Sequence, residues 1–329
     1  MSQRTKVTIS QVAEAAGVSP ATVSLVFNNK GKVAPATRER VLEIGKNLGY
    51  RPGWISRVFR SGRTHVIGVV VGHSGTPLWG ETYFPYYRGI IAGAAMEALN
   101  FGYTITVVPV TDTGQLGGPI RPDGIILVDP GPEDSLIETA LHDGITVVTA
   151  GGHITSYESP RLRGVEHELK TGVGVALDTL REHGATRPAF YRGSALDAYT
   201  VESQRTYEQW CQKNGIEPLL YVLPAGHDPV EGARELLDGE HGYLDGIYCI
   251  NESYSSAVTA VAEKRGLRIP DDLHVGVAGE PHSGGVDPRL VYFDLNPVDL
   301  GAACAQVLVH MLEAEAAQEI AAKQARANK

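Results

Sequence analysis

Apolar positions fall into two regimes along this chain: helical spacing over the first fifty residues, and strand-like runs alternating with helical stretches thereafter. Ile9, Val12, Ala13 and Ala16 recur at i, i+3, i+4 and i+7, one face of a short helix. Thr8 followed by Gln11 has capping-box spacing at its start, and Gly17 ends it. Ser19 is placed to cap a second helix. Pro20 suits that helix's first turn, where a missing N–H leaves no acceptor wanting, and Val23, Val26 and Phe27 supply the buried stripe. A third, amphipathic helix carrying Val41, Ile44 and Leu48 runs from Pro35 to a stop at Gly49; its cap position, Ala34, is a poor one. Two short helices meeting at a glycine turn make helix-turn-helix geometry. In that arrangement the second helix enters the major groove of DNA and turns its early outward residues to base edges, here Pro20, Ala21, Ser24 and Leu25.

From His65 the pattern changes. The runs at 66–71, 104–110, 124–128 and 145–149 read as strands, with helical stretches at 86–100 and 135–144 between them. A second series follows, with strands at 188–192, 219–223, 246–250 and 274–278 and helical stretches at 169–184, 199–214, 230–237 and 253–265. Alternating β and α predicts parallel sheets covered on both faces, and two series predict two lobes. The expected fold class is therefore α/β: an N-terminal all-α helix-turn-helix domain plus a two-lobed body with parallel sheets. Ligands collect beyond the carboxyl ends of such strands, which places a cleft between the lobes.

Charge divides at the same point. Residues 1–63 hold eleven Lys and Arg against three Asp and Glu, a net +8, while residues 64–329 hold 18 against 35, a net −17. A basic head on an acidic body suits a head that meets polyanionic DNA. No stretch approaches the roughly 20 unbroken apolar residues of a membrane span, and the first ten residues lack a secretory apolar core, so a cytoplasmic protein without membrane contact is expected. Cys211, Cys249 and Cys304 share no metal-type spacing and read as small core hydrophobes. No cofactor or metal is expected. Nor is an enzyme: the chain has no G-x-S-x-G elbow, no P-loop and no H-E-x-x-H, and Gly172-Val-Gly174 lacks the third glycine of a dinucleotide fingerprint.

The strings VTISQVAEAAGVSPATVSLVFNN, TRERVLEIGKNLGYRP and SGRTHVIGVVV closely resemble the head of the lactose-repressor (LacI/GalR) family of bacterial transcription regulators, nearly without break from Val7 to Val71. The resemblance implies phosphate or backbone contacts from Thr8, Ser19, Thr22, Asn28 and Lys32, with Pro20, Ala21, Ser24 and Leu25 facing bases. One position departs: the family usually has Arg after T-V-S, where this chain has Leu25. Arg donates two hydrogen bonds to guanine, whereas Leu offers apolar contact such as a thymine methyl accepts. Residues 53–60 follow the family's hinge, whose apolar wedge enters the minor groove; Phe59 stands at the wedge, and Arg57 and Arg60 flank phosphates.

The body resembles the same family's periplasmic-binding-protein-like effector domain, at RPDGIIL (121–127), DGIYCINE (245–252), GLRIPDDL (266–273) and NPVDLG (296–301). It implies an effector pocket with Tyr83 and Phe84 as stacking aromatics, Arg205 as a pocket arginine and Asn251-Glu252 in place of Asn-Asp. Glu280 is a further candidate there. Departures include His167-Glu168 where Asp-Asn is usual, a short connection between Val110 and Asp123, and a missing terminal β segment, replaced by an Ala-rich tail. The expected organisation is a helix-turn-helix domain over 1–52, a hinge over 53–64, and an effector-binding and dimerisation domain over 65–329. Within it, lobe 1 takes about 65–164 and 292–315, lobe 2 about 165–291, and a tail over 316–329 frays.

Together these features imply a sequence-specific regulator, with repression as its expected output. A homodimer binds double-stranded operator DNA and responds to a small polar, sugar-like or nucleoside-like effector. Two alternatives stay open: an effector-independent DNA-binding dimer whose body serves dimerisation or protein docking, and a ligand-binding enzyme with a vestigial head.

Overall fold

The computed structural model describes residues 7–27, 31–50, 63–71, 84–111, 113–166, 169–239, 244–279 and 286–327. The chain forms two compact units, residues 1–64 and residues 65–329.

In the first unit, helices α1 (Ile9–Ala16), α2 (Pro20–Phe27) and α3 (Pro35–Leu48) enclose a small core of Val12, Ala13, Ala16, Val23, Val26 and Val41. The capping box forms as its spacing predicts. Thr8 accepts from the Gln11 amide at 3.4 Å, and its own amide donates to the Gln11 side chain at 2.8 Å. Gly17 closes α1 at φ 62° and Gly49 closes α3 at φ 70°, left-handed positions that glycine takes without steric cost. Ala34 makes no side-chain cap, as expected of alanine. Gly45 lets the Phe27 ring seat on α3: a Cβ there would stand 2.4 Å from Phe27 Cζ.

The second unit holds two five-stranded sheets, parallel throughout. The first has the order β2-β1-β3-β4-β5, from β1 (Val66–Val70), β2 (Thr104–Val107), β3 (Gly124–Val128), β4 (Thr146–Ala150) and β5 (Leu162–Val165). The second has the order β10-β9-β8-β6-β7, from β6 (Pro188–Gly193), β7 (Leu220–Leu223), β8 (Gly246–Cys249), β9 (His274–Gly279) and β10 (Val291–Asp294). Every residue of β3, β4 and β8 is buried, as central strands covered on both faces require. Helices α4 (Phe84–Asn100), α5 (Ser135–His142) and α10 (Pro297–Ala327) belong to the first lobe, and α6 (Leu169–Glu182), α7 (Ala198–Asn214), α8 (Pro229–Asp238) and α9 (Glu252–Lys264) to the second.

Helices α4 and α10 cross at glycines. A Cβ on Gly93 would stand 1.8 Å from the Val298 carbonyl oxygen, and one on Gly301 would stand 2.1 Å from that of Ile90. Backbone thus meets backbone, and Ile90, Ala94, Leu300, Cys304 and Leu308 close the core around the crossing. Gly172 on α6 plays a similar part, leaving room for the Phe293 ring of β10.

The structure corrects three expectations. Strands β5 and β10 are too short and mixed in character to show a period, and neither is foreseen. Because β10 pairs with β9, the return to the first lobe comes after Asp294 rather than at 292. The terminal segment does not fray after 315: α10 is helical through Ala327. Its middle is tied to the first sheet by Tyr103 to Glu313 at 2.9 Å and by Arg161 to Glu315 at 2.9 Å. Among the described residues the chain passes between the lobes twice, after β5 and after β10.

Candidate functional site

In the first unit, Pro20, Ala21 and Leu25 are exposed on one side of α2 while Val23 and Val26 are buried on the other; Ser24 is half-buried beside the exposed set. Leu25, 41% exposed, lies over Gly31, whose φ of 74° calls for glycine. Ser19 accepts from the Thr22 amide at 3.1 Å, and the two hydroxyls are 2.9 Å apart. Both therefore sit at the amino end of α2, where free N–H groups and the helix dipole favour an anion. Thr8 and Lys32 are also exposed. Asn28, Arg57 and Phe59 lie outside the described residues.

In the second unit, a cavity of about 360 Å³ opens between the carboxyl ends of the two sheets. The first lobe supplies Pro85, Tyr86 and Tyr87 from α4, Val128 at the end of β3, and Asp129, Gly131 and Pro132 from the turn that follows. The second supplies Gly193 at the end of β6, Ala195, Leu196, Asp197, Tyr199 and Thr200 after it, Ile250, Asn251, Glu252 and Tyr254 after β8, Ala278 and Gly279 at the end of β9, and Leu295 after β10.

Asp129 holds a left-handed backbone at φ 46°, which costs a non-glycine residue about 1–2 kcal/mol and marks a position fixed by its surroundings. Its amide donates to the Ala150 carbonyl at 3.0 Å, and its Oδ1 accepts from the Tyr86 hydroxyl at 3.3 Å. Gly151 makes room for that carboxyl: a Cβ there would stand 2.4 Å from Oδ1. Desolvation, and then the charge of Asp197 across the cleft, push the Asp129 carboxyl well above the usual carboxylate range.

Asp197 caps α7, accepting from the Thr200 amide at 2.9 Å and the Thr200 hydroxyl at 3.0 Å. Desolvation raises its carboxyl too, against those hydrogen bonds. The Tyr199 hydroxyl donates to the Ile250 carbonyl at 2.6 Å and stitches the β6 and β8 loops together. Asn251 lines the cavity and also caps α9, its Oδ1 accepting from the Ser253 amide at 2.9 Å. Glu252 lies over Gly279, where a Cβ would stand 2.5 Å from its Oε1.

Of the residues the sequence reading puts in a pocket, Asn251 and Glu252 line this cavity. Arg205 does not. The buried face of α7 carries Thr200, Ser203, Thr206, Tyr207 and Trp210, and at 100° per residue Arg205 falls on the outward side. There it is 62% exposed and pairs with Glu202 at 3.6 Å. Phe84 opens α4, and Tyr83 and Glu280 lie outside the described residues. Sequence reasoning missed Tyr86, Asp129, Asp197 and Tyr199. The available signal was position: Asp129 directly follows the GIILV strand, and Asp197 stands between a strand and a helix, both at the carboxyl ends where ligands gather.

Residues 8–53 match the family model for bacterial regulatory proteins, lacI family, and residues 177–325 match that for a periplasmic binding protein-like domain. Among curated proteins, the chain is similar to the HTH-type transcriptional regulator CelR of Thermobifida fusca, 26% identical over 332 residues that cover 97% of this chain and 96% of that one. Among solved structures it is similar to a CelR–cellobiose complex, with a TM-score of 0.64 and 26% identity over 94% of each chain. The lac repressor dimer bound to operator and the anti-inducer ONPF has a TM-score of 0.76 at 18% identity, covering 94% of this chain and 93% of that one. That likeness shows the shared fold: a helix-turn-helix domain and two parallel-sheet lobes.

Proposed function

Because the chain belongs to the lacI family of bacterial regulatory proteins, and is a DNA-binding transcription regulator, we propose that it is a repressor whose hold on its operator is set by a small polar molecule bound between the two lobes. One observation carries this reading: the walls of the cavity come from both lobes, so a ligand that touches both stabilises the closed arrangement over the open one. The protein acts as a homodimer in the cytoplasm, its two basic units on two half-sites of a pseudo-palindromic operator. Thr8, Ser19, Thr22, Asn28, Lys32 and Arg57 hold phosphates, Pro20, Ala21, Ser24 and Leu25 face bases, and Phe59 wedges the minor groove. Residues 53–64 pass the state of the lobes to the DNA-binding units. No catalytic step is assigned to the cleft; its relatives are regulators.

Linkage supplies the test. Operator is first obtained by binding-site selection with the full-length protein. A panel of sugars and nucleosides is then screened by thermal shift, and each binder is titrated with and without operator. A binder that changes operator affinity is expected to have its own affinity changed by operator by the same factor. A ligand that raises the melting temperature and leaves operator affinity untouched would leave only the dimerising role for the body.

The same selection addresses Leu25. Leu25→Arg is expected to move the preferred base at one position of each half-site to guanine, with discrimination of about 1–3 kcal/mol. An unchanged selection profile would remove Leu25 from the base-reading set.

A further inference from the structure

The chain enters the second unit through one tightly held residue. His65 stands just before β1, and its backbone is left-handed at φ 53° although it carries a side chain. Its amide donates to Asp123 Oδ2 at 2.8 Å, and its carbonyl accepts from the Thr104 amide at 2.9 Å and from the Thr104 hydroxyl at 3.3 Å. Asp123 stands just before β3 and Thr104 opens β2, so the ties run to both neighbours of β1 in the first sheet. Asp123 grips the chain twice, because its own amide donates to the Val66 carbonyl at 2.8 Å.

A left-handed conformation presses Cβ against the backbone and persists only where the surroundings impose it. Core packing does not impose it here, since His65 is exposed and its ring only lies against that of Tyr103, with centroids 5.0 Å apart. The carbonyl bond to the Thr104 amide does not impose it either, for it is the first rung of the β1–β2 ladder, whose register begins with Val66 opposite Thr104. The bond from the amide to the Asp123 carboxyl is no part of any ladder. It fixes the peptide that precedes the strand, and rotation about φ of His65 decides where Thr64 and the residues before it go.

We propose that Asp123 and His65 are positioning residues for DNA binding: the bond between them sets the direction in which the chain leaves the first sheet for residues 53–64, so that both basic units of a dimer reach their half-sites together. The proposal rests on the reading of a dimer on two half-sites and names what aligns it.

The test uses the full-length protein, the selected operator and a duplex carrying a single half-site, at concentrations where sedimentation shows the dimer. One basic unit grips a single half-site, so that affinity is indifferent to the exit of the chain. The full operator gains its extra affinity from a second unit that arrives at high effective concentration. Asp123→Ala removes the acceptor, and His65→Val sets a β-branched side chain where the left-handed region excludes it. Each is expected to lower full-operator affinity about tenfold or more and to leave half-site affinity within about twofold of the parent. Asp123→Asn keeps an oxygen acceptor and His65→Asn tolerates the left-handed backbone without the ring, so both are expected to match the parent on both duplexes.

Melting of the second unit is followed for all four variants. Should Asp123→Ala or His65→Val lose the folded body, the other decides, because they break opposite ends of the same bond. Full-operator affinity unchanged in those two, or lost equally in the asparagine variants, would overturn the proposal. So would a lowered melting temperature with the ratio of the two affinities unmoved, which is the mark of a structural role alone. A parent protein that binds the full operator no more tightly than the single half-site would overturn the two-half-site reading and the proposal with it.

Discussion

Gly93→Val is expected to destabilise the second unit by about 3 kcal/mol or more, the upper end of what overpacking a core costs. Val298 presents its carbonyl, not a movable side chain, where the new Cβ would lie, so the substitution has to part α4 from α10. The core of the first lobe, with Ile90, Ala94, Leu300, Cys304 and Leu308, opens with it. Denaturant unfolding of the full-length protein reads the loss, and the first unit, with its own core, is expected to unfold separately and unshifted. Gly174→Ala supplies the contrast. It lies inside α6 with nothing within 4 Å of its Cβ position, so alanine is expected to stabilise by about 0.5–1 kcal/mol through helix propensity alone. Similar unfolding curves for the two variants would mean that the α4–α10 crossing gives way to a side chain at little cost.

Ala21→Glu is expected to reduce operator affinity by about a hundredfold or more at moderate salt while leaving the melting of the first unit unchanged. Ala21 is exposed in the first turn of α2, where a carboxylate suits the helix dipole, so folding does not resist the change. Facing DNA, the same carboxylate meets phosphates and base acceptors at the moment it loses its water. A like charge set against the phosphates at a docked surface costs several kcal/mol, and about 2.7 kcal/mol corresponds to a hundredfold. Fluorescence anisotropy with the selected operator measures it. Affinity within threefold of the parent would place the recognition surface elsewhere.

The first unit was legible almost residue by residue, because its elements are short-range objects. Thr8 with Gln11, Gly17, Ser19 with Pro20 and Gly49 each act within four residues of the place they are read. The two sheets were legible as a class because β3, β4 and β8 are buried on both faces and read as continuous apolar runs. β5 and β10 were not, since a four-residue edge strand owes its existence to the partner beside it and carries no period of its own. The cleft was the least legible part. Asp129 and Asp197 lie 68 positions apart and act on each other only because two separate sheets point their carboxyl ends at one space. Arg205 misled for the complementary reason: a motif match fixes position along a helix, and the buried stripe decides which way the side chain faces.

The long final helix is tied to the first lobe. Among the described residues the chain passes between the lobes after β5 and after β10, and α10 packs on the first lobe through Glu313 and Glu315, so a change in the second lobe reaches that helix by way of the first sheet.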